Sequence, residues 1–265
     1  MSTHEAPAVV AVTDTAGVRT LTLDAPANRN ALSRRLVARL HDGLRSAADD
    51  ADVRVVVLAA RGPAFCAGAD LSEAADGGSE DAGTSLLEVL RTIASLPQPV
   101  VARVHAPVRA GGIGLVAAAD LAVGAHEATF AFTEARLGLT PAIISLPVLA
   151  RMSSRSAAHA FLTGRTLDGP AAAQAGLLTR SVPGADLDAA MDEELAGLLR
   201  ASPQGLAETK RLLATPLLAR LEEEGAAMVA LSERLFASEE AAAGMRAFLS
   251  RQDPPWVRPG ARDRP

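Results

Sequence analysis

Apolar positions recur along this chain with two different periods, and the switch between them divides it. Val9–Thr13 and Val18–Leu23 are short β-type runs parted by polar residues at Asp14–Gly17, which predicts two strands joined by a turn. Ser33 stands where a helix would be capped, and Leu36, Val37, Leu40 and Leu44 then share one helical face. Val53–Leu58 and Val100–Val104 are almost continuously apolar, the pattern of strands covered on both faces, as in parallel sheets. Between them, Ser85–Leu96 predicts a helix stopped by Pro97. Leu121–Gly124 and Thr129–Phe132 predict two shorter strands. From about Asp186 the period is helical: Leu187, Met191, Leu195 and Leu198 form one stripe, and Leu221, Met228, Leu231 and Leu235 another. The expected organisation is an α/β core to roughly residue 200, then a helical C-terminal part.

Composition narrows the classes. At 265 residues there is ample material for one large core. No apolar run reaches ~18 residues, so no membrane-spanning helix is expected. Met1–Pro7 carries an acid and no basic stretch, so no secretory signal is expected either. The single cysteine, Cys66, has no internal partner, which fits a reducing cytoplasm. A net charge of -5 argues against a chain built to neutralise nucleic-acid phosphates. The five histidines, His4, His41, His105, His126 and His159, show no ligand spacing, and neither HExxH nor CxxC occurs, so no metal site is expected. Cys66 lies among small residues with no adjacent base and reads as packing.

Three segments remain as candidate chemistry. Gly112–Ala117 fits GxGxxA after a strand, with Glu134 twenty residues beyond Gly114, the nominal dinucleotide fingerprint. Two features oppose that reading. His105–Ala110 intervenes between strand and glycines, and the helix before Asp120 is little more than two turns, shorter than a βαβ crossover needs. The other two segments are Ala64–Leu71 and Arg109–Gly114, small-residue turns after neighbouring buried strands. Their smallness serves either tight glycine packing or the approach of a ligand to backbone N–H groups, which can stabilise a developing oxyanion. A helix starting at Gly111 would add the positive end of its dipole. The acidic, glycine-rich stretch Ser72–Thr84 reads either as a surface loop or as a loop over the substrate.

Asn30-Ala31-Leu32, Phe65–Leu71 (FCAGADL), Ala110–Gly114 with Asp120, and Thr133–Gly138 (TEARLG) occur in an order and spacing that is specific in combination. Leu162-Thr163-Gly164, Ala175-Gly176-Leu177 and Ala247-Phe248-Leu249 extend it. From about Val9 to Val257 the chain resembles the enoyl-CoA hydratase/isomerase (crotonase) superfamily. The resemblance implies an α/β fold, a right-handed spiral of ββα units over residues 1–200 that binds acyl-CoA and carries catalysis. A helical part, 201–265, would support a homotrimer or a dimer of trimers. It further implies that the Ala69 and Gly111 N–H groups grip a thioester oxygen and that Glu134 is the acid–base group. Coenzyme A would lie along Ala67, Ala69, Asp70 and Leu71. Arg29, just before the Asn-Ala-Leu triplet, would meet a CoA phosphate unless it is simply a solvated surface arginine. No cofactor beyond the CoA thioester substrate is implied.

Departures from the family pattern matter as much. Hydratases of this family usually carry two glutamates; Glu134 matches the second, whereas Gly114 stands at the first. The glycine triplet opens with Ala110, Arg109 replaces a small or apolar residue, and Pro141–Ser145 replaces a Gly-rich stretch. One carboxylate suffices for a 1,3-proton shift, and for syn hydration if it both activates water and returns the proton. Glu73, Asp76 or Asp81 could supply a second. The expected activity is enoyl-CoA hydration, with isomerisation, decarboxylation, thioester hydrolysis and a non-catalytic CoA-binding role as alternatives.

Overall fold

The computed structural model describes residues 8–70, 73 and 82–258. Leu71 and most of the Ser72–Thr84 stretch, including Asp76 and Asp81, lie outside the described residues. β1 (Val10–Thr15) and β2 (Val18–Leu23) form an antiparallel hairpin. Thr15 pairs with Val18, so only Ala16 and Gly17 turn the chain, both at positive φ (49° and 83°). The turn is narrower than the polar run predicted because Asp14 stays in the ladder opposite Arg19, whose guanidinium reaches its carboxylate at 2.7 Å and Asp50 at 2.8 Å.

α1 (Arg34–Ala48) is capped by Ser33, which accepts from the Leu36 N–H at 3.2 Å, and it buries the expected Leu36, Val37, Leu40 and Leu44. β3 (Val55–Ala60), β4 (Val100–Val104), β6 (Leu121–Ala125) and β9 (Arg180–Val182) continue the sheet in parallel, in the order β1-β2-β3-β4-β6-β9. β3 begins two residues later than its hydrophobic run because its register with β2 starts at Val18 opposite Val55. A second, three-stranded sheet holds β5 (Val108–Arg109), β7 (Thr129–Ala131) and β8 (Thr166–Asp168). Strand–strand–helix units thus recur along the chain, an α/β architecture with a helical C-terminal segment.

The helices crossing between strands are α2 (Ala82–Ser95), α3 (Gly111–Ala118), α4 (Ala142–Arg151), α5 (Ser154–Thr163) and α6 (Gly169–Gln174). The C-terminal segment is α7 (Leu187–Leu199), α8 (Pro203–Phe236) and α9 (Glu239–Leu249). Among the described residues, no helix is long and apolar enough to cross a membrane.

The long helix α8 packs on α2 and α4. Its buried face is rotated from the expected one: Leu221 is buried as predicted, but Gly225 and Val229 complete the row while Met228, Leu231 and Leu235 flank it. The reason is steric. A Cβ on Gly225 would sit 2.8 Å from Leu87 Cδ2, so a residue with no side chain lets α8 close on α2. Deeper along the same row, Lys210 is 4% exposed; its ammonium donates to the Ile93 and Gln98 carbonyls at 2.8 and 2.9 Å and pairs with Asp120 at 2.7 Å. Asp120 also accepts from the Val100 N–H at 2.7 Å, so one ion pair ties the C-terminal helix to the start of β4.

Candidate active site

Two loops meet beyond the ends of β3 and β4. Asn30 organises the first. Fully buried with φ at 55°, it accepts from the Ala25 N–H and donates to the Arg61 and Ala64 carbonyls at 2.8 and 2.9 Å. That clamp holds the segment leading into Phe65–Asp70. The second loop zips onto it: Phe65 N–H donates to the Pro107 carbonyl at 3.0 Å and Arg109 N–H to the Cys66 carbonyl at 2.9 Å. Gly68 lets the two turns touch, since a Cβ there would lie 2.9 Å from Ala110 Cβ, and its φ of 92° favours glycine.

Ala110 then takes φ 45° and ψ −120°, a conformation costly for a residue with a Cβ, and α3 starts at Gly111. A Cβ on Gly111 would lie 2.7 Å from Leu32 Cδ1, so any side chain there would push that leucine aside. Ala69 and Gly111 both line one cleft, and among the described residues neither N–H has an acceptor. Two unpaired donors at one cleft, one of them at a helix start, suit an oxygen that gains negative charge. The dinucleotide alternative lacks its geometry: β5 stands between β4 and the glycines, and α3 has eight residues.

The cleft encloses about 1080 Å³, including its open mouth. Leu139, Ile143, Ile144 and Phe236 give it apolar walls, and Glu134 opens into it. Glu134 begins a 3-10 turn, Glu134–Leu137, and is only 9% exposed. Its Oε2 has no hydrogen-bond partner among the described residues. Burial pushes its pKa up to about 7, against the weaker pull of its own backbone N–H. A buried carboxyl group lining a cleft, with an unpartnered oxygen and titrating near neutrality, has the properties of a general acid–base group.

The site residues expected from the sequence do not all share this place. Ala69, Asp70, Gly111 and Glu134 line the cleft. Arg29 is exposed and Ala67 half-buried; the two are joined by the Ala67 N–H to the Arg29 carbonyl at 3.0 Å and stand outside the cleft lining. Asp70 accepts from the Asn28 side chain at 3.2 Å. Of the substitute acids, Glu73 lines the cleft, accepting from the Arg34 N–H at 2.9 Å. Cys66 is buried, and burial pushes its thiol up to about 12, which fits the packing role expected of it.

Gly114 is filled from outside. A Cβ there would lie 2.6 Å from Ile144 Cγ2, with Leu90 Cδ2 at 3.6 Å, so the volume a side chain would enter belongs to Ile144. Pro141–Ser145, a departure in sequence, is the opening of α4 that brings Ile144 there. Arg109 turns its guanidinium to the Val108 and Thr129 carbonyls, both at 2.8 Å, and bridges β5 to β7. Sequence reasoning missed Asn30 as a clamp, Arg34 at the mouth, and Ser232 and Glu233 on α8 as wall residues. Asn30 left a signal, a polar residue in the short stretch between β2 and the Ser33 cap of α1; the α8 residues left none, because their face depends on Gly225.

This α/β fold, in which two unpaired amides and the buried Glu134 line one cleft, belongs to a class that comparison with known proteins identifies. The family model for enoyl-CoA hydratase/isomerase matches residues 13–259, and the chain belongs to that family. It is 32% identical over 251 residues to the mitochondrial enoyl-CoA hydratase domain-containing protein 3 of Danio rerio, covering 91% of this chain and 84% of that one. A crystal structure of an enoyl-CoA hydratase from Mycobacterium avium superposes with a TM-score of 0.89 at 44% identity, covering 95% of this chain and all of that one (100%). An enoyl-CoA hydratase/isomerase from Pseudoalteromonas atlantica T6c gives 0.85 at 26% identity, covering 94% and 100%.

Proposed function

We propose that this protein hydrates a 2-enoyl-CoA thioester with Glu134 as its one acid–base group and the Ala69 and Gly111 amides as its oxyanion hole. The observation that carries the reading is the unpartnered Oε2 of Glu134, a buried side chain that lines the same cleft as the two unpaired amides. In the proposed reaction the thioester oxygen accepts from both amides. Glu134 takes a proton from a water as its oxygen bonds to Cβ, and the π electrons move to the thioester oxygen as an enolate. The enolate then collapses, and Glu134 returns the proton to Cα. Each amide donor contributes about 3 kcal/mol to the enolate-like transition state. A carboxyl group titrating near 7 is suited to both halves of that cycle.

Crotonyl-CoA offered to the wild type and to Glu134→Gln tests the proposal. The wild type should consume the enoyl thioester and form the 3-hydroxy product. Glu134→Gln should lose about 10²–10⁴-fold in kcat while still binding acyl-CoA. Full activity in that variant would sink the assignment. A second reading, isomerisation of a 3-enoyl-CoA, is favoured by Ile144 filling the place of a second glutamate, since a 1,3-proton shift needs only one. The same assay with a 3-enoyl-CoA separates the two by product.

The wider assignments are proposals as well. Arg29 is the candidate for a CoA phosphate, and Ala67, Asp70 and Leu71 for the adenine and pantetheine. The segment 201–265 is proposed to serve in oligomerisation, with the spiral of 1–200 carrying binding and catalysis. Support comes from the exposed Leu212, Leu213, Phe248 and Leu249 on α8 and α9, which suit a homotrimer or a dimer of trimers. Light scattering in solution decides the state. A cytoplasmic location is proposed on the lone, unpaired Cys66.

A further inference from the structure

The buried row of α8 runs Lys210, Ala214, Leu217, Leu221, Gly225 and Val229, and the next step of four along it is Glu233. A charged residue on such a row is costly unless it is matched or faces something that wants it. Lys210 is matched by Asp120 and two carbonyls. Glu233 is half-buried, lines the cleft beside Ser232 and Phe236, and its carboxylate makes no ion pair or hydrogen bond with any described residue. The cleft is also unbalanced in charge. Among the described residues its walls carry Asp70, Glu73, Glu134 and Glu233 against Arg34 alone, and the Arg34 Nε already lies 3.9 Å from Glu73.

We propose that Glu233 selects the acyl group: the cleft admits thioesters whose acyl tail is uncharged and turns away those that end in a carboxylate. Resting on the acyl-CoA reading above, this names its substrate class. An acyl chain with its thioester at Ala69 and Gly111 runs along Ile143, Ile144 and Phe236, which welcome methylenes. A terminal carboxylate on that chain would lose water against those walls with no unpaired described cation to receive it. It would also share the cleft with Glu233, and like-charge juxtaposition is among the stronger ways a site rejects a wrong ligand. An uncharged tail suffers neither penalty.

Hexanoyl-CoA and adipoyl-CoA have the same carbon count and differ only in the terminal carboxylate, and neither can be hydrated, so calorimetric titration reads binding alone. The wild type should bind hexanoyl-CoA at least about tenfold more tightly than adipoyl-CoA. Glu233→Gln should bring the ratio of the two dissociation constants down by about tenfold, and Glu233→Lys should invert it. Equal binding of both thioesters by the wild type would overturn the proposal, as would an unchanged ratio in Glu233→Gln. If Glu233→Gln weakened both thioesters alike, Glu233 would be holding CoA or the fold, and the proposal would again fall. Failure of the wild type to bind either thioester is a different result: it removes the acyl-CoA reading itself, and the selection with it.

Discussion

Lys210 and Glu134 are both buried ionisable side chains, and the protein uses them in opposite ways. Every donor need of Lys210 is met within the fold, by Asp120 and the carbonyls of Ile93 and Gln98, and the groups it joins come from α8, α2 and the start of β4. Burial pulls its pKa below the usual lysine value and Asp120 pushes it back, so the site is a strut. Glu134 has one carboxylate oxygen with no partner among the described residues, and it faces a cleft. Burial without partners raises its pKa and leaves it ready to exchange a proton. The lesson is that burial alone does not mark a functional group; burial with an unspent hydrogen-bonding capacity does.

Removing each group should separate the two roles. Lys210→Met leaves Asp120 without its cation and should cost about 3–5 kcal/mol of stability in denaturant unfolding. The folded fraction should retain its acyl-CoA affinity. A loss of affinity with no loss of stability would put Lys210 on the side of function and break the comparison.

Glu134→Gln should do the reverse and stabilise the protein at alkaline pH. Its folded pKa, about 7, lies above the ordinary glutamate value of 4.5, so between these values the native state binds more protons than the unfolded one. Wild-type stability from this group is therefore complete below about pH 4.5 and falls as pH rises through 7, by about 3 kcal/mol in all. The glutamine variant should lack that fall, so its advantage over the wild type should grow between pH 4 and pH 8. Parallel stability curves for the two proteins would mean that Glu134 is not held against its charged form.

Smaller effects sharpen the picture of the cleft. Gly114→Ala inserts a methyl where Ile144 Cγ2 already sits and should cost about 1–3 kcal/mol. Ala110→Gly relaxes a positive φ and should change stability by about 1 kcal/mol or less, with strain relief offset by the entropy of glycine. Thermal melts of the two variants read both effects, and a stabilised Gly114→Ala would show spare room at that position.

Much of the scaffold was legible along the chain. β2 and β4 run from Val18 to Leu23 and from Val100 to Val104, as their patterns predict: β2 alternates half-buried and buried positions, and β4, almost wholly buried, is nearly continuous in apolar residues. The Ser33 cap and the face of α1 were legible for the same local reason. β5 has two residues and β8 and β9 three each, too few for any period to show. The face of α8 was misjudged because bulk was taken as the sign of burial, whereas Gly225 marks the closest approach.

By itself, the sequence determined the paired small-residue turns, the shortness of α3, and Glu134 as the single acid at the second glutamate position. These are local: they depend on residue size and on spacing within a few tens of positions. Tertiary structure alone decided that Ile144 occupies the space beside Gly114, that Lys210 finds Asp120, and that Glu233 reaches the cleft. Each of those joins residues 30 or more positions apart, where no periodicity carries information and only the packing of helices against the sheet brings the partners together.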